Sequence, residues 1–242
     1  LRDIMIYIYD GSFYGLLTVI FDAYKVLENV DEISEKSSQI DFLKNKIETK
    51  TNDEKAERVK KSIIKRFSYS FYKDIIKVFS SCSKYKEIAI AKTLKKLYIK
   101  GFSYIGSADS DVILFKNLRQ RVSRETHSYK GLLRFSENNG ILFAKFTPEN
   151  DILSFLYYHF KSRLKNEKFI IADVKRNKAV IYNGVKGEFF EFEESKSLNL
   201  DDEYTDLWRE FYDSIGIKER KNEKLRISNM PKKYWKDLPE IK

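Results

Sequence analysis

Apolar and polar positions along this chain follow three regimes. Ile4 to Tyr9 is a short apolar run closed by Asp10-Gly11, which reads as a strand. Beyond Ser12, apolar residues recur at Phe13, Leu16, Leu17, Ile20, Tyr24 and Leu27. That is the three-and-four spacing of an amphipathic helix, with serine as its N-cap. Residues 29–53 are polar and acidic, and support only a helix or ordered loop over Ile40–Ile47. Helical spacing then returns. Asp53 is placed to cap a helix over 54–66, and further helices are expected over 69–81 and 84–99, with Gly101 as the stop. Ile63, Ile64, Phe67, Phe71, Ile75, Ile76 and Phe79 give them a buried side. A connector over 101–107 leads to a helix from Asp109 or Ser110 to about Thr126.

The period changes near Gly131. Gly131–Ser136 and Ile141–Phe146 read as a hairpin about Asn139-Gly140. Thr147-Pro148 is expected to open a helix running to about Lys165, with threonine as cap and proline at the first helical position. Phe169–Val174 and Ala179–Tyr182 form a second hairpin, and Glu188–Phe192 a fifth strand. The order ββαββ predicts an α+β fold: an antiparallel sheet with helices packed on it, plus a basic helical subdomain. The expected regions are 1–107, a strand and helix followed by the basic helices, and 108–242, the α+β unit, or both as one domain. A helix over Asp201–Ile215 and the pair Tyr234-Trp235 form an aromatic C-terminal segment expected to dock on that unit.

Composition narrows the classes. The chain has 242 residues, 42% hydrophobic and 34% charged, enough to bury a core. Its one cysteine, Cys82, excludes an intrachain disulfide and any Cys-built zinc or iron–sulfur site within it, and no cofactor is expected. The apolar run Gly15–Phe21 falls far short of the ~20 residues that span a bilayer. The first residues lack the pattern of a secretory leader, so a cytoplasmic protein without membrane partners is expected.

Charge adds the strongest signal. The formal net charge is +10, and residues 54–100 hold 14 Lys/Arg against 4 Asp/Glu, so the whole excess sits in one helical window. Such concentration points to a polyanion partner; the alternative is simple solvation of lysine-rich helices. Lys61, Lys65, Arg66, Lys95 and Lys96 are the candidate phosphate contacts there. Tyr69, Tyr72 and Tyr85 are the aromatics expected to be partly exposed among them.

Both histidines sit in suggestive places. His127 is expected where a helix hands over to a strand, near Glu125, Lys130 and Arg134. His159 continues the stripe of Ile152 and Leu156, with Arg163 one turn on. Both His159 and Arg163 are expected to be partly shielded. The pair either meets a phosphate or carboxylate or simply covers the sheet. Asp173 shares a strand face with Phe169 and Ile171, and either caps the hairpin or pairs with an arginine. His127, His159 and Asp173 are the catalytic candidates for general acid/base work, and would make at most a thin two-His, one-carboxylate metal set. Asp10-Gly11-Ser12 is a helix entry able to hold an anion, or a plain cap. P-loop, dinucleotide-binding and hydrolase-elbow motifs do not occur.

Taken in order, Tyr9-Asp10-Gly11-Ser12-Phe13-x-Gly15-Leu16-Leu17, Glu125-x-His127-x-x-Lys130-Gly131-x-x-Arg134-Phe135, His159-Phe160-x-x-Arg163, Asp173-x-x-Arg176, Ile217-x-x-Arg220-x-Asn222-x-x-Leu225 and Met230-Pro231-x-x-Tyr234-Trp235-x-x-Leu238 resemble a bacterial family of "probable DNA metabolism protein", a domain of unknown function. Ser128-Tyr129 stands where that family more often has Arg-Met, which removes one basic residue from the motif. The resemblance implies DNA as the theme and a radical SAM protein as partner, since some members are fused to uracil-DNA-glycosylase-like domains and others are encoded beside such an enzyme. It implies no reaction. The expected function is a DNA-binding accessory protein in repair or base modification, with Lys130, Arg134, Arg163 and Arg176 as further nucleic-acid contacts. The alternatives are a nucleic-acid-processing enzyme using a histidine, or a protein–protein adaptor.

Overall fold

Ile6, Tyr7, Ile8 and Tyr9 are buried in succession, as a strand flanked on both edges and both faces must be. In the computed structural model, which describes residues 4–35, 45–138, 140–191, 227 and 230–238, they form β1 (Met5–Tyr9). The chain divides into two units, Leu1–Ser123 and Arg124–Lys242.

In the first unit β1 is the centre of a three-stranded parallel sheet, between β2 (Val30–Glu35) and β3 (Asn45–Glu48). Neither flanking strand was expected. β2 buries only Val30 and Ile33 and β3 is four residues long, so neither carries a strand's usual apolar signal. The helix or loop expected over Ile40–Ile47 is strand at its end, and residues 40–44 lie outside the described residues.

Between β1 and β2 runs α1 (Phe13–Ala23), capped by Ser12, whose hydroxyl accepts from the Gly15 amide at 2.9 Å. It stops before the expected Leu27, which begins a 3-10 turn. The strand-to-helix corner is tied by Asp10, which accepts from the Ser12 amide and hydroxyl and from the Thr51 hydroxyl. A Cβ on Gly15 would come within 2.2 Å of the Asp10 carboxylate, so this corner closes only around glycine. The Asp10-Gly11-Ser12 entry thus serves as a built cap.

After β3 come α2 (Asp53–Arg66), α3 (Tyr69–Phe79) and α4 (Lys86–Lys100). Asn52, not Asp53, caps α2, accepting from the Lys55 amide at 3.0 Å. Gly101 ends α4 at a φ of 85°, a left-handed conformation that favours glycine. α2 packs on α1, α3 on α2 and α4, and α4 on β2. Ile63, Phe71, Ile75, Ile90, Leu94 and Leu97 join Tyr9, Leu16 and Leu17 in one core.

The next helix, α5 (Ser110–Leu132), runs through the boundary between the units. It overshoots the expected end by about two turns, and the strand expected at Gly131–Ser136 gives way to β4 (Ser136–Asn138), which shares only Ser136 with it. Val122, Thr126, Tyr129 and Leu133 are buried at helical spacing. Packing of that stripe outweighs the ~1 kcal/mol that an interior glycine costs a helix. His127 therefore lies within a helix rather than at a handover.

The second unit is a five-stranded sheet in the order β4-β5-β6-β7-β8, adding β5 (Ile141–Phe146), β6 (Lys168–Asp173), β7 (Lys178–Tyr182) and β8 (Gly187–Glu191). The expected antiparallel sheet is a mixed one: β5 and β6 run parallel, while the other pairs are antiparallel. The link between β5 and β6 is long enough, and helical enough through α6 (Leu153–Arg163), to serve as a parallel crossover. Hairpin spacing elsewhere in the sequence carries no information about that one pairing.

α6 also starts later than Thr147-Pro148 suggests. Thr147 gives both its amide and its hydroxyl to Asp237, and the chain turns helical only at Leu153. Near the C-terminus, residues Lys232–Asp237 form a 3-10 turn that buries Tyr234 and Leu238 within this unit. The predicted helix over Asp201–Ile215 lies outside the described residues. Among the described residues no helix is long and apolar enough to cross a membrane.

Candidate nucleic-acid interface

The basic window occupies α2 to α4, and its cations divide into two groups. One group is engaged inside the unit. Lys95 is buried, reaching the Lys25 carbonyl at 3.3 Å and Glu28 at 3.7 Å. Lys96 is bound by Asp109 and Asp111 at 2.6 and 2.7 Å; although burial works against its charge, those carboxylates hold its ammonium above the usual range. Lys60 is likewise clamped by Glu57 and the Tyr14 hydroxyl. Lys95 and Lys96, both sequence candidates, thus hold helices together.

The second group faces outward on α2. Ala56 and Ile63 turn the helix inward, which leaves Arg58, Lys61 and Lys65 exposed along one side over two turns. Among the described residues no ion pair joins Lys61 or Lys65 to a carboxylate. Arg58 stacks over Phe21 at 5.1 Å, and Arg66 over Tyr98 at 5.4 Å while donating to the Tyr98 carbonyl. Tyr69 and Tyr85 are exposed beside Lys73 and Lys84, as expected, but Tyr72 is buried, stacked on Tyr69.

The second unit gathers a smaller group of basic side chains. On α5, His127 is exposed and Lys130, three residues on and so on the same side, is half-buried. On α6, Leu153, Leu156, Tyr157 and Phe160 face the core, and His159 stands at the edge of that stripe with its ring edge-on to Phe160 at 4.9 Å. Burial, then the charges of Lys130 and Arg163, push the His159 imidazole below its ordinary value, so the three groups share one local field. Arg163, the last residue of α6, is exposed rather than shielded.

Arg134 and Arg176 have structural partners. Arg134 donates to the Gly131 carbonyl at the end of α5. Arg176 pairs at 2.9 Å with Asp173 and also donates to the carbonyls of Pro148 and Glu149, pinning the loop between β5 and α6. Asp173 is wholly buried; desolvation raises its pKa and Arg176 opposes that rise. Its carboxylate also accepts from the Arg176 amide, so it closes the β6–β7 turn. The same loop is held from α5 by buried Glu125, which accepts from the amides of Glu149 and Asn150 and from the Asn150 side chain. Among the described residues His127, His159 and Asp173 do not converge as a metal set.

Two features of this unit escaped the sequence reading. Asp237, which joins Tyr129 at 2.8 Å to Thr147, carried no local signal. Tyr158, the most exposed aromatic ring among the described residues at 68%, did carry one, since it falls off the apolar stripe of its helix.

No curated protein matches the chain. The model of a domain of unknown function, DUF4130, matches residues 84–240, from just before α4 through the whole C-terminal region described above. The chain belongs to the DUF4130 family.

Proposed function

We propose that this protein binds DNA as an accessory factor in repair or base modification. The observation that carries the reading is the face of α2. The chain's entire net positive charge maps to residues 54–100, and within it Lys61 and Lys65 remain exposed and outside any ion pair among the described residues, with Lys61 in the field of Glu57 one turn back. Cations exposed on one helix side release the counterions of a phosphate chain when they meet it, which is a sequence-independent source of affinity. The Lys130–His159–Arg163 cluster supplies a second set of donors suited to a phosphate oxygen. Resemblance to DNA-metabolism proteins supports DNA as the polyanion and a radical SAM protein as the partner. With Cys82 the chain's sole cysteine, an iron–sulfur cluster would be carried by that partner.

Affinity for a labelled DNA, measured from about 50 to 200 mM salt, tests the reading. Each neutralised phosphate contributes about −0.9 to the slope of log affinity against log salt on duplex DNA. The double substitution Lys61→Gln with Lys65→Gln should weaken binding and reduce the slope by about 2. A flat salt response refutes the proposal.

A further inference from the structure

Among the described residues Tyr158 is the most exposed aromatic side chain. It projects from α6 off the stripe that faces the sheet, and Tyr157 beside it does the packing, meeting Phe169, Tyr182 and Phe189. Exposing an aromatic ring forgoes roughly 1.5–3 kcal/mol that burial would yield. A single exposed ring is ordinary on a protein surface. This one, however, shares its helix with the exposed Arg163 and directly precedes His159. His159 and Arg163 form the adjacent column one turn apart, with Lys130 of α5 close enough to act on the His159 ring. The Tyr157 ring meets that of Tyr158 at 5.0 Å and 56°, which steadies it from one side and leaves much of it open.

An aromatic face near cations such as Lys130 and Arg163, with a neutral imidazole N–H donor between them in sequence, is a combination suited to an unpaired nucleotide. The base stacks on the ring and the backbone meets the charges. In a duplex, each base face is already stacked on its neighbours, so the ring has nothing to add. We propose that Tyr158 is a base-stacking side chain that makes the Lys130–His159–Arg163 surface selective for single-stranded or locally unpaired polynucleotide. This rests on the reading that the protein binds nucleic acid, and assigns strandedness and a contact residue to it.

The test is anisotropy titration of the 242-residue chain with a labelled single strand of about 15 nucleotides and with the corresponding duplex, at one salt concentration. Tyr158→Ala should weaken single-strand binding about 10-fold, within the ~1–3 kcal/mol of one base–aromatic stack, and leave duplex binding within about twofold. Tyr158→Trp should restore the single-strand affinity. Lys130→Gln with Arg163→Gln should weaken both forms together, because phosphate contacts do not depend on pairing. Equal losses on both forms for Tyr158→Ala, or no loss on either, overturn the assignment while leaving nucleic-acid binding intact. Failure of the unmodified protein to bind either form refutes the parent reading and this one with it. Because Tyr158 is so exposed, its alanine variant should keep the parent melting temperature, which separates a lost contact from a lost fold.

Discussion

At the scale of single residues, the His159 imidazole reports the cationic field of its surroundings. Its pKa lies below the ordinary 6.5, through burial first and then Lys130 and Arg163. A group whose folded pKa is depressed in this way favours the neutral form when folded. Its contribution to stability is therefore present above about pH 6.5 and is lost as pH falls through that value towards the folded pKa. Following the His159 Cε1 proton by NMR across pH should give a midpoint below that of a free imidazole. Lys130→Gln should raise it, and Arg163→Gln should raise it by less. A midpoint that ignores both variants would mean that the three side chains share no field. The helical repeat made part of this site readable in sequence: His159 and Arg163 could be placed one turn apart, and Lys130 flagged from its motif. What could not be read was exposure. Arg163 at the end of its helix and Tyr158 are both exposed, and both depend on where the packed stripe stops.

At the scale of elements, the loop between β5 and α6 shows why sequence and structure diverge. Thr147-Pro148 has the composition of a helix start, yet long-range partners override it: Asp237 takes Thr147, Glu125 takes Glu149 and Asn150, and Arg176 takes the carbonyls. Local rules identified α1 to α4, the Gly101 stop and both hairpin turns, because caps, glycines and periodicity act within a few residues. The parallel β5–β6 pairing and the polar edge strands β2 and β3 are fixed by partners far along the chain, and local pattern is blind to them. The Asp173–Arg176 pair tests how much that loop depends on its clamp. Removing one partner of a buried pair typically costs ~3–5 kcal/mol, because the other charge is left uncompensated. Arg176→Met should therefore lower stability sharply at pH 7. The Asp173 pKa is already raised by burial, and without Arg176 it rises further. A carboxyl whose folded pKa exceeds its unfolded value penalises the fold as pH climbs above the unfolded value, so the Arg176→Met penalty should be smaller at pH 5 than at pH 7. Denaturant melts at the two pH values measure this directly, and an equal penalty at both would show that Arg176 acts through its carbonyl contacts alone.

At the scale of the molecule, the family match reaches across both units, beginning just before α4 and ending beyond the last turn. That last turn is a working part of its unit. Tyr234 and Leu238 are buried, Tyr234 meets Tyr129 edge-on at 5.0 Å, and Trp235 donates its indole N–H to the Met230 carbonyl. Asp237 accepts from the Tyr129 hydroxyl, whose ionisation burial and that neighbouring carboxylate oppose. The hydroxyl therefore stays a donor, and the contact joins α5 to the start of the β5–α6 loop. Truncation after Met230 would strip the cover from Tyr129 and Phe146, which pack at 4.9 Å, and leave the Tyr129 hydroxyl without that acceptor. Losing two fully buried side chains removes about 1.5–3 kcal/mol each. Spread over a chain of this size, a loss of that order should lower the melting temperature by at least ~6 °C, at about 2–4 °C per kcal/mol. Asp237→Asn should cost much less, because its amide oxygen still accepts one bond while the Tyr234 and Leu238 contacts remain. A truncated chain that melts with the parent would show that the buried rings contribute nothing net. A large loss from Asp237→Asn alone would place the stability in the carboxylate's shared bonds to Tyr129 and Thr147 rather than in the apolar contacts around them.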